Sequence, residues 1–361
     1  LKHTTLSFDY ETTNNLLRHA NKAYHTEIND LLLTTLSIAL TSLTGSEHNL
    51  ITLEGHGRED IAPDVNTSRT IGWFTTMYPV LLTTQSKTSD TLKGIKESLR
   101  AIPNKGVGYG CFKYLSTTRS IKQGAIPPVS FNYLGVFDSG SASQSDTTWG
   151  FAFETIGNEV SPKNTDPNLI DINGGVFEDR LEFSVASKLS TENLKVFTTA
   201  FKAVLEEIVS LCVSNANEQL LCHTPSDFNL PVSIELFERL YTEDVEAIYA
   251  ATSLQQGFIY HALANPSDDA YRVQSIFEYN NTLDVDLYTK AWEKIIETYP
   301  VLRVSFNYEE YPLQIIHKQG LLNFNFHDWT ERSERLPGVN GPRDLEISIE
   351  ENGTKNEALL G

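Results

Sequence analysis

The stretch "NLITLEGHGRED" (residues 49–60) combines the alternation of a β-strand with a cluster of charged side chains. Thr52, Glu54 and His56 fall on one face of the predicted strand, and the apolar Leu53 falls on the other. Such a stretch is either a catalytic strand or only the charged end of a structural strand. The rest of the chain decides between these two interpretations.

Apolar periodicity predicts a mixed order of helices and strands around this stretch. Residues 26–45 form a predicted buried helix that stops at Gly45, because glycine is common just past helix C-termini. The pattern predicts further helices over 89–102, 190–212, 234–251, 254–263 and 285–299, and strands over 69–82, 129–138, 168–177, 180–189, 271–280, 302–308, 313–318 and 344–352. This order indicates a mixed α/β fold and not a strict βαβ repeat.

A glycine-rich segment, "PNKGVGYG" (residues 103–110), invites comparison with nucleotide-binding loops. Its glycines do not have the G-x-G-x-x-G spacing, and an amphipathic helix precedes them where a nucleotide fold has a strand. We therefore expect a loop that lets the backbone pass close to a tunnel, and not a nucleotide site.

Composition restricts the class of partner. The chain has 361 residues, 28 Lys and Arg against 47 Asp and Glu, and a formal net charge of -19. Such an acidic protein repels phosphate backbones and anionic lipid, so neither nucleic acid nor membrane is an expected partner. No apolar run reaches the roughly 18 residues of a membrane span.

The cysteines and the N-terminus indicate the compartment. Cys111, Cys212 and Cys222 are too few and too widely spaced for a disulfide framework or a metal cage, which favours a reducing cytoplasm. No signal peptide is apparent, and the first residue is not Met, so a piece of a longer protein is expected.

Taken in order, the motifs "NDLLLTTLSIAL", "EGHGRE", "SRTIGWFTTMYPVLL", "PNKGVGYG" and "FNYLG" resemble those of the condensation and epimerisation superfamily of non-ribosomal peptide synthetases. The resemblance implies incomplete lobes of a fold similar to chloramphenicol acetyltransferase. Residues 1–214 resemble the C-terminal lobe of an epimerisation domain, and the polar residues 215–233 are a predicted linker. Residues 234–330 resemble the N-terminal part of a condensation domain, with "ATSLQQGFIYHAL" as its first motif, and 331–361 resemble the C-terminal end of one.

The resemblance also implies a reaction and its residues. The reaction is L-to-D conversion of an aminoacyl or peptidyl thioester, presented on phosphopantetheine by a peptidyl carrier protein, with no cofactor bound directly. Glu54 matches the family's catalytic glutamate. The residues expected along the channel for substrate and pantetheine are His56, Trp73, Tyr109, Asn132 and Tyr133. For His56 the alternative is a role in ordering its turn, and for Trp73 and Tyr133 it is a place in the core.

The chain departs from the family in two places. None of its nine histidines is adjacent to another, so the double-histidine motif of the family's N-terminal lobe is missing. The sequence near 330–337 also joins two regions that are far apart in a condensation domain. We therefore expect a catalytically incomplete fragment, completed by a missing N-terminal lobe and by neighbouring synthetase modules. Two other functions stay open: condensation alone, and a non-catalytic module that docks carrier protein.

Overall fold

The computed structural model describes residues 1–115, 126–137, 157, 161, 163–165, 167–265, 271, 275, 277, 279, 281–328 and 343–348. The chain divides into two compact units, Leu1–Thr224 and Pro225–Gly361. The expected joint at 330–337 lies outside the described residues. In the described part of the chain, no helix is both long and apolar enough to cross a membrane.

The first unit is a mixed sheet with helices packed on one side. Its elements, in chain order, are β1 (Lys2–Ser7), α1 (Tyr10–Arg18), α2 (Ile28–Thr44), β2 (His48–Gly55), β3 (Thr76–Thr83), α3 (Thr88–Arg100), α4 (Gly108–Leu115), β4 (Val129–Phe137), β5 (Ile170–Phe177), β6 (Arg180–Ser187) and α5 (Thr191–Asn217). The sheet order is β1-β6-β5-β4-β2-β3. Strands β2, β4 and β5 run parallel, and the other neighbours pair antiparallel.

Strand register divides the sheet into a core face and an open face. Leu53, Phe131, Ile172 and Val185 lie in one row across β2, β4, β5 and β6, and all four are buried. These side chains define the core face, which packs with the apolar stripes of α2 and α5. The opposite side of the same strands is the open face, and it carries Glu54. Burial of the core face therefore fixes which side chains the open face presents.

Helix ends follow local chemistry. Helix α2 ends at Gly45, whose φ of 72° lies in the left-handed region that glycine adopts without strain. This confirms the predicted stop.

The turn between β5 and β6 places Glu178 and Asp179 at positive φ (48° and 60°), as a two-residue hairpin requires.

The second unit is built around a small antiparallel sheet. Its elements are α6 (Ile234–Leu240), β7 (Val245–Ala250), α7 (Ser253–Ala264), α8 (Val285–Thr298), β8 (Val304–Asn307), β9 (Leu313–His317), β10 (Asn323–Asp328) and β11 (Arg343–Ser348). Strands order as β7-β9-β8, and β10 pairs with β11 in a separate two-stranded sheet. The core forms where Leu230, Phe237, Ile248 and Leu313 meet.

Three sequence-based boundaries were wrong. The helix predicted over 234–251 is helix α6 followed by strand β7, because Val245 and Ile248 pack inward from a strand. The strand predicted over 69–82 begins only at Thr76. The glycine-rich segment is only partly a loop: Asn104, Lys105 and Gly106 have positive φ (46°, 46° and 78°), and the segment from Gly108 onward lies in α4. The strand predicted over 271–280 lies mostly outside the described residues.

The predicted linker 215–233 is more ordered than its polar composition suggests. Helix α5 continues to Asn217, the Cys222 amide donates to the Ala23 carbonyl at 2.7 Å, and a 3-10 turn spans Pro225–Phe228. Backbone hydrogen bonds thus hold its first part within the first unit.

A buried ion pair joins the start of α2 to the end of α3. The Asp30 side chain is 1% exposed, and Arg100 Nη1 and Nη2 donate to its two carboxylate oxygens at 3.1 and 2.7 Å. The Glu27 amide also donates to Asp30 at 2.7 Å, which completes a capping box. Burial raises the pKa of the Asp30 carboxyl, and the Arg100 guanidinium opposes that rise.

This pair predicts a pH-dependent loss of stability in Arg100→Met. Removing one partner of a buried pair leaves an uncompensated charge, so we expect a loss of about 3 kcal/mol in the free energy of unfolding at neutral pH. Because protonated Asp30 needs no cation, the loss should shrink as pH falls. Urea denaturation at several pH values measures both effects.

Lys105→Met is the matched control. Lys105 lies 4.0 Å from Glu27 and is 59% exposed, so its removal should cost less than about 1 kcal/mol. Equal losses in the two variants, or a loss in Arg100→Met that does not depend on pH, would contradict the role given to the buried pair.

Candidate functional site

Glu54 and Asn132 meet on the open face, where β2 and β4 run side by side. Leu53 is in register with Phe131, so the residues that follow them, Glu54 and Asn132, are neighbours on the opposite face. Asn132 Nδ2 donates to Glu54 Oε2 at 3.2 Å. The amide therefore fixes one oxygen of the carboxyl group and leaves the other oxygen available to a reacting atom.

The surroundings favour the protonated form of Glu54. Burial raises the pKa of the half-buried Glu54 carboxyl, and the negative charge of Asp171 adds to the rise. A carboxyl group whose pKa moves toward neutrality can both give and take a proton near working pH. The half-burial of Glu54 is therefore not that of a fully solvated carboxylate at a strand end.

Strand β5 supplies two polar residues that the sequence interpretation missed. Asp171 is in register with Ser130, and Asn173 is in register with Asn132, so both lie on the open face beside Glu54. The signal was present in "LIDINGGVF", where Asp171 and Asn173 alternate with the buried Ile170 and Ile172.

His56 organises the turn that follows β2. Its Nε2 lies 3.1 Å from Glu59 Oε1, and its Nδ1 accepts from the Arg58 amide at 3.0 Å. The Arg58 guanidinium donates to the Thr67 and Thr70 carbonyls instead of pairing with Glu59. These contacts favour the alternative role for His56, which is to order its own turn.

Trp73 lies outside both the strand and the core. It is 91% exposed, in the segment between β2 and β3. The guanidinium of Arg58 stacks 4.2 Å above the neighbouring Phe74 ring, which holds the segment that carries Trp73. The alternative place for Trp73 in the core is therefore wrong.

Tyr109 and Tyr133 both approach the core instead of the open face. Tyr109 is partly buried on α4 against the core of the first unit. Tyr133 is in register with Gly174 on the core face, and its buried hydroxyl oxygen has no hydrogen-bond partner in the described part of the chain. Burial raises the pKa of Tyr133. Of the five expected channel residues, the structure brings only Asn132 into contact with Glu54.

Gly106 shows why the glycine-rich segment needs a glycine. A side chain at this position would place its Cβ 2.3 Å from the Tyr78 ring, and the φ of 78° is unfavourable for other residues. Burial and Glu59 raise the pKa of Tyr78 to about 12. The backbone thus passes close to β3, next to the end of β2 that carries Glu54. Within the described residues, no cluster of three His, Cys, Asp or Glu side chains could hold a metal ion.

The raised pKa predicts how Glu54→Gln changes stability with pH. A carboxyl group with a higher pKa in the folded than in the unfolded chain favours folding fully below its unfolded pKa, about 4.3 for Glu. Its contribution is lost as pH rises through the folded pKa. Glutamine can still accept from Asn132 and is never charged, so Glu54→Gln should raise the urea midpoint at neutral pH. The gain should disappear in acid.

The control for this measurement is Glu206→Gln, on an exposed position of α5. We expect no comparable gain at neutral pH. A midpoint that is unchanged or lower in Glu54→Gln at neutral pH would mean that the charge of Glu54 is not disfavoured in the folded chain.

Comparison with known proteins shows which family this chain belongs to. The condensation domain family matches residues 1–228 and 245–336. Bacitracin synthase 3 of Bacillus licheniformis is 34% identical over 339 residues, covering 90% of this chain and 5% of that protein. One component of the mycosubtilin synthase of Bacillus subtilis is 36% identical over 320 residues, covering 85% of this chain and 12% of that protein.

A solved structure is also similar to this chain. The epimerization domain from the third module of tyrocidine synthetase B is 38% identical, with a TM-score of 0.53 over 59% of this chain and 49% of that one. The chain spans only a small part of the two synthases and about half of this domain. The mixed α/β fold and the resemblance to the condensation and epimerisation superfamily are thereby confirmed, and the chain belongs to the condensation domain family of non-ribosomal peptide synthetases.

Proposed function

We propose that the first unit supplies one half of an epimerisation site. The substrate is an aminoacyl or peptidyl thioester on the phosphopantetheine arm of a carrier protein, and the product is its D-epimer. The observation that carries the proposal is the half-buried Glu54, held by Asn132 on an open sheet face. The likeness of the chain to an epimerization domain, 38% identical over 59% of this chain, supports it.

Inversion at the α-carbon needs an acid and a base on opposite faces. One group removes the α-proton, the electron pair delocalises into the thioester carbonyl, and the other group returns a proton to the opposite face. Glu54 is the group on one face. If Glu54 donates the proton in one direction of the reaction, it removes a proton in the reverse direction. The inversion therefore consumes neither an oxidant nor a cofactor.

The group on the other face comes from outside this sequence. None of the nine histidines is adjacent to another, so no double-histidine motif stands opposite Glu54. We propose that an N-terminal lobe carries it and closes over the open face. In this arrangement Asn132 orients Glu54, and the exposed Trp73 contacts the partner lobe or the pantetheine arm. His56, Tyr109 and Tyr133 support the walls of the channel.

The second unit is proposed to be a truncated condensation domain of the next module. Its first motif forms α7, where Gln255 caps the helix and donates to Gln314 on β9 at 3.1 Å. Arg303 is buried and donates to Glu246 at 2.7 Å. Gln255 and Arg303 thus stabilise the unit, and we give neither residue a catalytic role. The parent would be a cytoplasmic synthetase that hands the D-residue to this unit.

Condensation alone is the second candidate function, because the family match is to condensation domains. It is an acyl transfer that forms an amide bond and leaves the configuration of the α-carbon unchanged. A third possibility is a non-catalytic module that docks carrier protein, which the missing double histidine favours. Loading carrier protein with an L-aminoacyl group separates the three: the products would be D-residue, dipeptide or neither.

The half-site proposal predicts that this chain alone is inactive. Aminoacyl carrier protein in deuterated water should gain no deuterium at the α-carbon beyond the background of carrier alone, because only one of the two groups is present. Mass spectrometry of the released amino acid measures this. Appreciable exchange by the chain alone would contradict the proposal.

Restoring the partner lobe gives the matching positive experiment. In a protein that joins residues 1–214 to an epimerisation N-terminal lobe, Glu54→Gln should lower the inversion rate by about 10²–10⁴, the usual loss for a positioned acid or base. His56→Ala and Glu59→Gln change the same segment without touching Glu54, so both should cost much less. A near-normal inversion rate in folded Glu54→Gln would mean that the Glu54 carboxylate has only a structural role.

A further inference from the structure

A second carboxylate faces Glu54 from two strands away. Strand β4 lies between β2 and β5, and neighbouring strands are about 4.8 Å apart, so the backbones at Asp171 and Glu54 are about 10 Å apart across the sheet and, with the offset along the strands, about 12 Å apart in all. Register sets it one pleat repeat back, beside Ser130, while Asn173 stands in the row of Glu54 and Asn132. Both carboxylates are shielded partly from water.

Among the described strand residues, Asp171 is the nearest acid to Glu54 on this face. The open faces of β3 and β4 carry Met77, Pro79, Ser130, Asn132 and Leu134 around Glu54, none of which titrates. The other charged or titratable groups that the described strands place on the open face are His48, at the far end of β2, Glu182 and Arg180 on β6, and His3 on β1. Glu182 and His3 lie farther across the sheet than Asp171 does.

We propose that Asp171 is a positioning residue for inversion, which acts through Glu54 by keeping that carboxyl group able to give and take a proton near neutral pH. This inference rests on the function proposed above. A negative charge across a partly dry sheet face disfavours a second negative charge, because water screens the two groups poorly there. Strand β4 separates the strands of the two acids, and its Asn132 donates to Glu54.

Asp171 lies on the opposite face of β5 from the residues that hold the strand in the core. Those residues are Ile170, Ile172 and Val176, and β5 also pairs with β4 and β6. The negative charge of Asp171 makes ionisation of Glu54 less favourable. Such a cost is typical of reactive sites.

The test titrates Glu54 directly in the 361-residue chain, by NMR of carboxyl groups in protein labelled with carbon-13 glutamate. The resonance is assigned by its loss in Glu54→Gln. We expect Asp171→Asn to lower the pH midpoint of Glu54 and Asn173→Asp, which adds an acid in the same row, to raise it. Asp179→Asn removes a solvent-exposed charge in the turn beyond the end of β5, where water screens it, and should leave the midpoint unchanged.

An unchanged midpoint in Asp171→Asn, or an equal shift in Asp179→Asn, would overturn the inference. If Asp171→Asn does not fold, Asn173→Asp decides the question. Position 173 is nearer to Glu54 than position 171 is, so a new charge at 173 that does not raise the midpoint would overturn the inference.

A second readout uses the protein with a restored N-terminal lobe. The acidic limb of its pH–rate profile should move to lower pH in Asp171→Asn, in step with the NMR midpoint. Should Glu54→Gln invert normally while the NMR shifts appear as expected, the proposed function fails and the electrostatic coupling stands. Should Glu54→Gln be inactive while the profile of Asp171→Asn does not move, the positioning role fails alone.

Discussion

The parallel pairing of β2 with β4 determines what this fold can do. Leu53 and Phe131 are buried side by side in the core, so the residues after them must emerge together on the other face. A shift of one residue in this register would bury Glu54 and expose Leu53, at a large cost in apolar burial. The hydrophobic core therefore holds Glu54 against Asn132, although neither residue belongs to it.

The helices make this arrangement rigid from behind. Helix α2 packs its apolar stripe on the sheet, and its first turn is tied to the end of α3 by the buried pair of Asp30 and Arg100. Breaking such a pair lowers the free energy of unfolding strongly, because a charge without a partner then remains buried away from water. Strands that are backed in this way can hold a carboxyl group in one orientation.

The sequence predicted most of the first unit because its signals are local. Alternation located β2, β5 and β6, periodicity located α2 and α5, and Gly45 marked a helix end. Strand β1 and the partners of β2 are set by contacts between distant segments, which no local pattern contains. The apolar residues of α6 and β7 also fit the spacing of a single helix, so the boundary between the two elements depends on packing around Ile248.

The candidate site was predicted only in part for the same reason. Glu54 and Asn132 were found through motifs, and their contact needed the pairing of β2 with β4. Asp171 carries no motif, and only the order of the strands shows that it faces Glu54.

The central claim is that Glu54 exchanges protons with one face of the α-carbon only. The most direct test follows deuterium entry from carrier-bound L- and D-aminoacyl substrates separately, using Glu54→Gln in the protein with a restored N-terminal lobe. The account predicts that one enantiomer still exchanges its α-proton without inversion, through the group on the other face, while the opposite enantiomer loses exchange. Equal exchange from both enantiomers would contradict it.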